Sequence, residues 1–216
     1  MRRLLHGIRA FQEDVFPSHR AHFEMLASGQ QPSTLLITCS DSRIVPHLLT
    51  QTEPGELFVL RNAGNLVPPY TAEHSGEAAT VEYAVQVLKV QDIVVCGHSH
   101  CGAITGVLRP EILDGLPAVE KWLEHADMVR QEILEQGAVP EAGDDLLTAA
   151  VKANVLVQLG HLRTYPAVAA AKAAGSLALH GCFYRFETGE VTAFDNAIGR
   201  FVPIAEHSAI QPATVA

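Results

Sequence analysis

The run Gln91-Asp-Ile-Val-Val-Cys-Gly-His-Ser-His-Cys-Gly102 constrains this chain more than any other. Ile93 to Cys96 is apolar, rich in β-branched side chains and long enough only for a buried strand. Gly97 follows, and then His98 and Cys101, three residues apart. A helix starting here would put both side chains on one face. Imidazole nitrogen and thiolate sulfur are the ligands zinc prefers, but two of them do not complete a site.

A third ligand is available upstream. Thr34-Leu-Leu-Ile-Thr38 reads as a second buried strand, and Cys39-Ser-Asp-Ser-Arg43 follows directly. Two buried strands, each with soft ligands just past its end, suggest a parallel sheet with a metal at its carboxyl edge, where open α/β sheets place their ligands. Cys39, His98 and Cys101 would leave one tetrahedral position open, the mark of a catalytic rather than a structural zinc. Taken singly, the three residues are also compatible with a strand cysteine, a satisfied loop histidine and a core cysteine. Their recurrence at matched strand ends favours the metal.

The pattern between and around these strands supports an α/β domain. Leu57-Phe-Val-Leu60 is another apolar strand, delivered by the turn chemistry of Glu53-Pro-Gly-Glu56. From Ser75 to Val90 the period becomes helical, with Val81, Ala84, Val85 and Leu88 on one face and Ser75 as N-cap. Strands separated by helices argue for a parallel sheet with right-handed crossovers. Further helices are predicted around Trp122, Ala126, Val129 and Ile133, from about Asp145 to Leu159, and from Pro166 to Gly175. Ser176 to His180 reads as a strand, and Phe183–Phe186 with Val191–Phe194 as a separate hairpin at the sheet edge. Residues 1–28 read as a helical arm with a break at Pro17, and residues 29–216 as the zinc-binding α/β catalytic domain. Leu4, Leu5, Ile8, Phe11 and Val15 form an apolar stripe on the arm that must be covered by something.

A net charge of −9, from 15 basic and 24 acidic residues, argues against nucleic acid as a partner. No stretch resembles a membrane span, and no apolar segment follows Arg2-Arg3 as it would in a secretion signal. The cytoplasm is the expected compartment, with enclosure in a bacterial microcompartment as the alternative. Four cysteines in a chain this long do not make a disulfide framework. Cys96 and Cys182 read as small core residues.

Together, Cys39-Ser-Asp-Ser-Arg43 and His98-Ser-His-Cys-Gly102 resemble the β-class carbonic anhydrases. Phe58-Val-Leu-Arg-Asn-Ala-Gly-Asn-Leu-Val-Pro-Pro69 and Val81-Glu-Tyr-Ala-Val85 are similar to the plant and cyanobacterial branch, and the resemblance runs from about Gly29 to Asn196. It implies a four-stranded parallel sheet in the order 2-1-3-4 with an antiparallel fifth strand at the edge. It also implies one Zn²⁺ per subunit and reversible hydration of carbon dioxide to bicarbonate by zinc-bound hydroxide. The N-terminal arm would then pack on a second subunit of a homodimer, from which a tetramer or octamer is built. Packing of the arm on its own domain is the alternative.

The resemblance assigns further roles. An aspartate placed as Asp41 either ligates zinc in a closed form or pairs with an arginine, here Arg43, and accepts a hydrogen bond from the zinc-bound water. The plant-like Val67-Pro-Pro-Tyr70 and the absence of a tryptophan upstream of Cys39 point to the open, paired form. Gln30, Phe58, Tyr83 and Gly102 fall at substrate-pocket positions. His100 reads equally as a proton carrier or a solvated loop residue, and Arg61 as structural or substrate-facing. A carbon disulfide or carbonyl sulfide hydrolase of the same fold is the competing activity, and a non-catalytic zinc module the competing class.

Overall fold

The computed structural model describes residues 1–71, 75–135, 137, 140–141 and 143–207. The chain separates into two units, Met1–Gln31 and Pro32–Ala216. The first consists of α1 (Arg2–Ala10), a π-helical turn (Phe11–Val15) and α2 (Phe16–Leu26). The expected break at Pro17 does not occur. Pro17 sits in the first turn of α2, directly after the π turn, a position where a proline is tolerated. None of the residues in these three segments is buried. The predicted stripe stays exposed, from 62% for Leu4 to 41% for Phe11. The rings of Phe11, Phe16 and Phe23 cluster with centroids 5.5–6.2 Å apart.

The second unit is an α/β layer structure. It begins with β1 (Thr34–Cys39), α3 (Pro46–Thr50), β2 (Leu57–Asn62), α4 (Gly76–Glu82) and β3 (Asp92–His98). Then come α5 (Gly102–Leu108), α6 (Pro117–Leu123), α7 (Asp127–Arg130), α8 (Leu146–Leu162) and α9 (Pro166–Ala173). β4 (Ala178–Tyr184), β5 (Val191–Asp195) and β6 (Arg200–Pro203) complete the sheet. Its order is β2-β1-β3-β4-β5-β6, with β2, β1, β3 and β4 parallel and the last two strands antiparallel.

The 2-1-3-4 parallel core is as expected, and two features differ. A second antiparallel strand, β6, extends the edge; at four residues ending in Pro203 it carries too little periodicity to be read from sequence. The strand expected at Ser176–His180 and the first arm of the separate hairpin are one element, β4, which runs through Gly181. A Cβ on Gly181 would lie 2.8 Å from Val155 Cγ1 of α8. That glycine marks the close approach of a helix, not the end of a strand.

The same device operates beside the metal-ligand candidates. A Cβ on Gly97 would lie 2.6 Å from Val151 Cγ1 and 3.0 Å from Val155 Cγ2. Glycine at 97 therefore lets α8 lie directly on the last residues of β3. Leu35, Ile37, Ile93 and Val95 are fully buried beneath Val151, Val155, Val81 and Ala84. Burying each of these strand side chains contributes about 1.5–3 kcal/mol. On the opposite face Leu36, Ile44 and Cys96 form a smaller cluster with Cys182 and Tyr184. Ser75, the expected N-cap of α4, accepts from the Ala78 N–H (3.1 Å), and Asp145 caps α8 by accepting from the Thr148 N–H (2.7 Å). Among the described residues, no helix is long and apolar enough to cross a membrane.

Candidate metal centre

Adjacent parallel pairing of β1 and β3 brings two strand ends together at the carboxyl edge. Cys39 is the last residue of β1 and His98 the last of β3, while Cys101 precedes the first turn of α5. The ligand atoms of all three lie within 4.8 Å of one another. His98 and Cys101 are fully buried and Cys39 is 6% exposed.

The histidine is set up as a ligand. Its Nδ1 lies 2.8 Å from the Ser99 carbonyl, an acceptor only, so Nδ1 carries the proton. The other nitrogen, Nε2, is buried and makes no hydrogen bond, a costly arrangement unless a cation takes its lone pair. The thiols point the same way. A hydrogen bond from Cys101 holds the Cys39 thiol well below its ordinary pKa, with help from the Gly64 N–H at 3.4 Å. The same bond and burial push Cys101 up, because a second buried thiolate beside the first is unfavourable. A dication removes that conflict by accepting both sulfurs. Two thiolates and one bare imidazole nitrogen fit zinc, with one tetrahedral position left over.

The loop after Cys39 carries the second feature. Arg43 clasps the Asp41 carboxylate, with Nε on Oδ1 at 3.0 Å and Nη2 on Oδ2 at 2.7 Å. The Arg43 backbone N–H also reaches Oδ1, at 2.9 Å. These bonds, the guanidinium's first, hold the Asp41 carboxyl well below the usual carboxylate range. Arg61 belongs to the framework: it donates to the carbonyls of Cys39 (3.0 Å), Asp41 (2.8 Å) and Ile44 (3.0 Å) and so fixes the course of the loop. The neighbouring 61–66 segment is latched by Trp122 Nε1 on the Ala63 carbonyl and by Asn154 Nδ2 on that of Gly64.

The sequence model of the family "Carbonic anhydrase" matches residues 34–191. A carbonic anhydrase of Pseudomonas aeruginosa is 50% identical over 211 residues, covering 98% of this chain and 95% of that protein. The solved structure of the β-carbonic anhydrase CcaA matches with a TM-score of 0.89 at 48% identity, covering 94% of this chain and 91% of that one. This chain belongs to the β-class carbonic anhydrases. One of two tetrameric β-carbonic anhydrases of Sordaria macrospora also matches, with a TM-score of 0.71 at 32% identity over 89% of this chain and 92% of that one. The buried Cys-His-Cys set is therefore the metal-binding triad of an enzyme that hydrates carbon dioxide.

The other predicted site residues of this carbonic anhydrase are distributed unevenly. Gly102 opens α5 immediately after Cys101. Phe58 and Tyr83 come together, with ring centroids 5.9 Å apart. Tyr83 remains 44% exposed. Gln30 is an exposed residue of the N-terminal unit. Several contacts escaped the sequence reading. Phe186 packs its ring 4.9 Å from that of His98 and lies under the Arg43 guanidinium, 4.7 Å from Cζ to the ring centroid. Glu187 accepts from Ser99 Oγ and His100 Nε2. The available signal was a hairpin arm ending beside a strand that carries a ligand, and no spacing rule links the two.

Proposed function

We propose that this carbonic anhydrase works with one Zn²⁺ per subunit, held by Cys39 Sγ, His98 Nε2 and Cys101 Sγ, and that Asp41 and Arg43 orient the attacking water. The observation that carries the proposal is the buried His98 Nε2, bare and facing two thiols. Zinc, when bound there, supplies the Lewis acid that makes water nucleophilic near neutral pH.

The protein's own groups do the rest. Asp41 stays ionised at working pH, so its role is to accept a hydrogen bond, not to carry a proton. Arg43 occupies Oδ1 twice and Oδ2 once, which leaves an acceptor site on Oδ2 for the water. A proton of the water pointed at Oδ2 leaves an oxygen lone pair free to face the carbon of CO₂. We assign Phe58 and Tyr83 to an apolar wall suited to an uncharged substrate, and the Gly102 N–H to a donor for one of its oxygens. The exposed stripe on α1 calls for a covering surface, and we assign it to a second copy of this chain in a homodimer or a larger even assembly. Four unpaired cysteines favour a reducing compartment, the cytoplasm.

The test is removal and return of the metal. Chelated protein should lose CO₂ hydration in stopped flow, and one equivalent of zinc per subunit should restore it. Full activity in metal-free protein would overturn the reading.

A further inference from the structure

We infer that the turn joining β4 to β5, through Glu187 and Phe186, is a positioning element for the Asp41–Arg43 pair; this rests on the reading of that pair given above. Arg43 is not held by burial, since half of its side chain is exposed. Apart from Asp41 it has two anchors. One is the Phe186 ring beneath its guanidinium, and the other is the His100 carbonyl, which accepts from Nη2 at 3.0 Å.

That carbonyl points at Arg43 with His100 in the left-handed region at φ +54°, a conformation uncommon for a non-glycine residue. Glu187 holds the residue there. Its Oε1 accepts from His100 Nε2 at 2.7 Å and its Oε2 from Ser99 Oγ at 2.8 Å. The Phe186 N–H donates to the same Ser99 Oγ at 2.9 Å, and the Ser99 N–H donates to the Tyr184 carbonyl at 2.9 Å. One carboxylate thus ties the loop between His98 and Cys101 to the turn after β4. The Glu187 carboxyl is held down to about 2 by its own backbone N–H, by Ser99 and by His100, so both oxygens remain acceptors throughout the working range. Glu187 touches neither the ligand atoms nor the open position, and its influence passes through His100 to Arg43.

The experiment compares zinc-loaded wild type with Glu187→Ala, Asp41→Asn, Arg43→Ala and the Glu187→Ala/Arg43→Ala double variant. Glu187→Ala should keep one zinc per subunit and a KM within about twofold, and should lose about tenfold in kcat, the scale of a slightly displaced catalytic group. Its crystal structure should show the Arg43 Nη2 to His100 carbonyl contact broken. In the Arg43→Ala background the same change should cost nothing further, because the path through Arg43 is already cut. Wild-type kcat with that contact intact in Glu187→Ala would overturn the inference, as would zinc loss in this variant or a full tenfold loss on top of Arg43→Ala. A wild-type rate in Asp41→Asn would instead bring down the reading of the pair itself, and the inference with it.

Discussion

The two units of this chain use apolar side chains in opposite ways. In Pro32–Ala216, the strands beneath the metal centre are sealed between helices, and Leu35, Ile37, Ile93 and Val95 are fully buried. In Met1–Gln31, Leu4, Leu5, Ile8, Phe11 and Val15 recur at helical spacing just as regularly, yet all remain exposed. Periodicity therefore reports that a face is to be buried, and leaves open what buries it. The α/β unit carries its own answer in the sheet. The arm needs a surface from outside itself, which is the physical basis for assigning it to a second copy.

The contrast can be broken at either end. The largest effect is expected at the buried ligands. Cys39→Ser should strip most of the zinc and bring CO₂ hydration to background, beyond the roughly 10–100-fold typical of outer-shell partners. Metal analysis finding a full complement of tightly held zinc would remove Cys39 from the site. Next comes Asp41→Asn, which should retain zinc and lose roughly 10²-fold in turnover. The sign of its pH dependence follows from the depressed Asp41 pKa: the carboxylate is already ionised above the normal carboxylate range. Between pH 6 and 9 the substitution should lower the rate profile without deleting a titration from it. A limb present in wild type and absent from the variant would contradict this.

Gly97→Ala tests how tightly the sealed unit is packed. A methyl group 2.6 Å from Val151 Cγ1 must shift the Val151 side chain or the helix that carries it, for a loss of about 1–3 kcal/mol in urea unfolding. An unchanged midpoint would mean that the helix lies less firmly on β3 than described. The smallest effect on the metal centre is expected from the other unit. Deleting residues 1–22 should weaken association, measured by light scattering, while zinc content stays near one per subunit. A full-length chain that is monomeric at micromolar concentration would end the assignment of the arm to a partner.

Much of the site was legible because its chemistry sits at element ends. Cys39 and His98 each close an apolar run, and parallel strands buried on both faces are written as such runs. The pairing of Asp41 with Arg43 was an expectation from the family resemblance, and the two side chains do form an ion pair. The short β6 was not legible, and the continuity of β4 through Gly181 was missed, since the contact that glycine makes with α8 leaves no local signal. Arg61 stayed ambiguous until its three carbonyl acceptors were located.

The sequence by itself determined which segments are buried strands, which face of each helix is apolar, and which side chains can bind a metal. Those properties depend on local composition and period, and they hold for any tertiary arrangement. Tertiary structure alone decided that Phe186 and Glu187 belong beside the centre. Their place depends on β4 lying parallel to β3 with Tyr184 opposite His98. A shift of one residue would turn each side chain of β4 to the other face of the sheet. That register follows from packing against α8 through Gly97 and Gly181, contacts between residues more than twenty positions apart that no local pattern can encode.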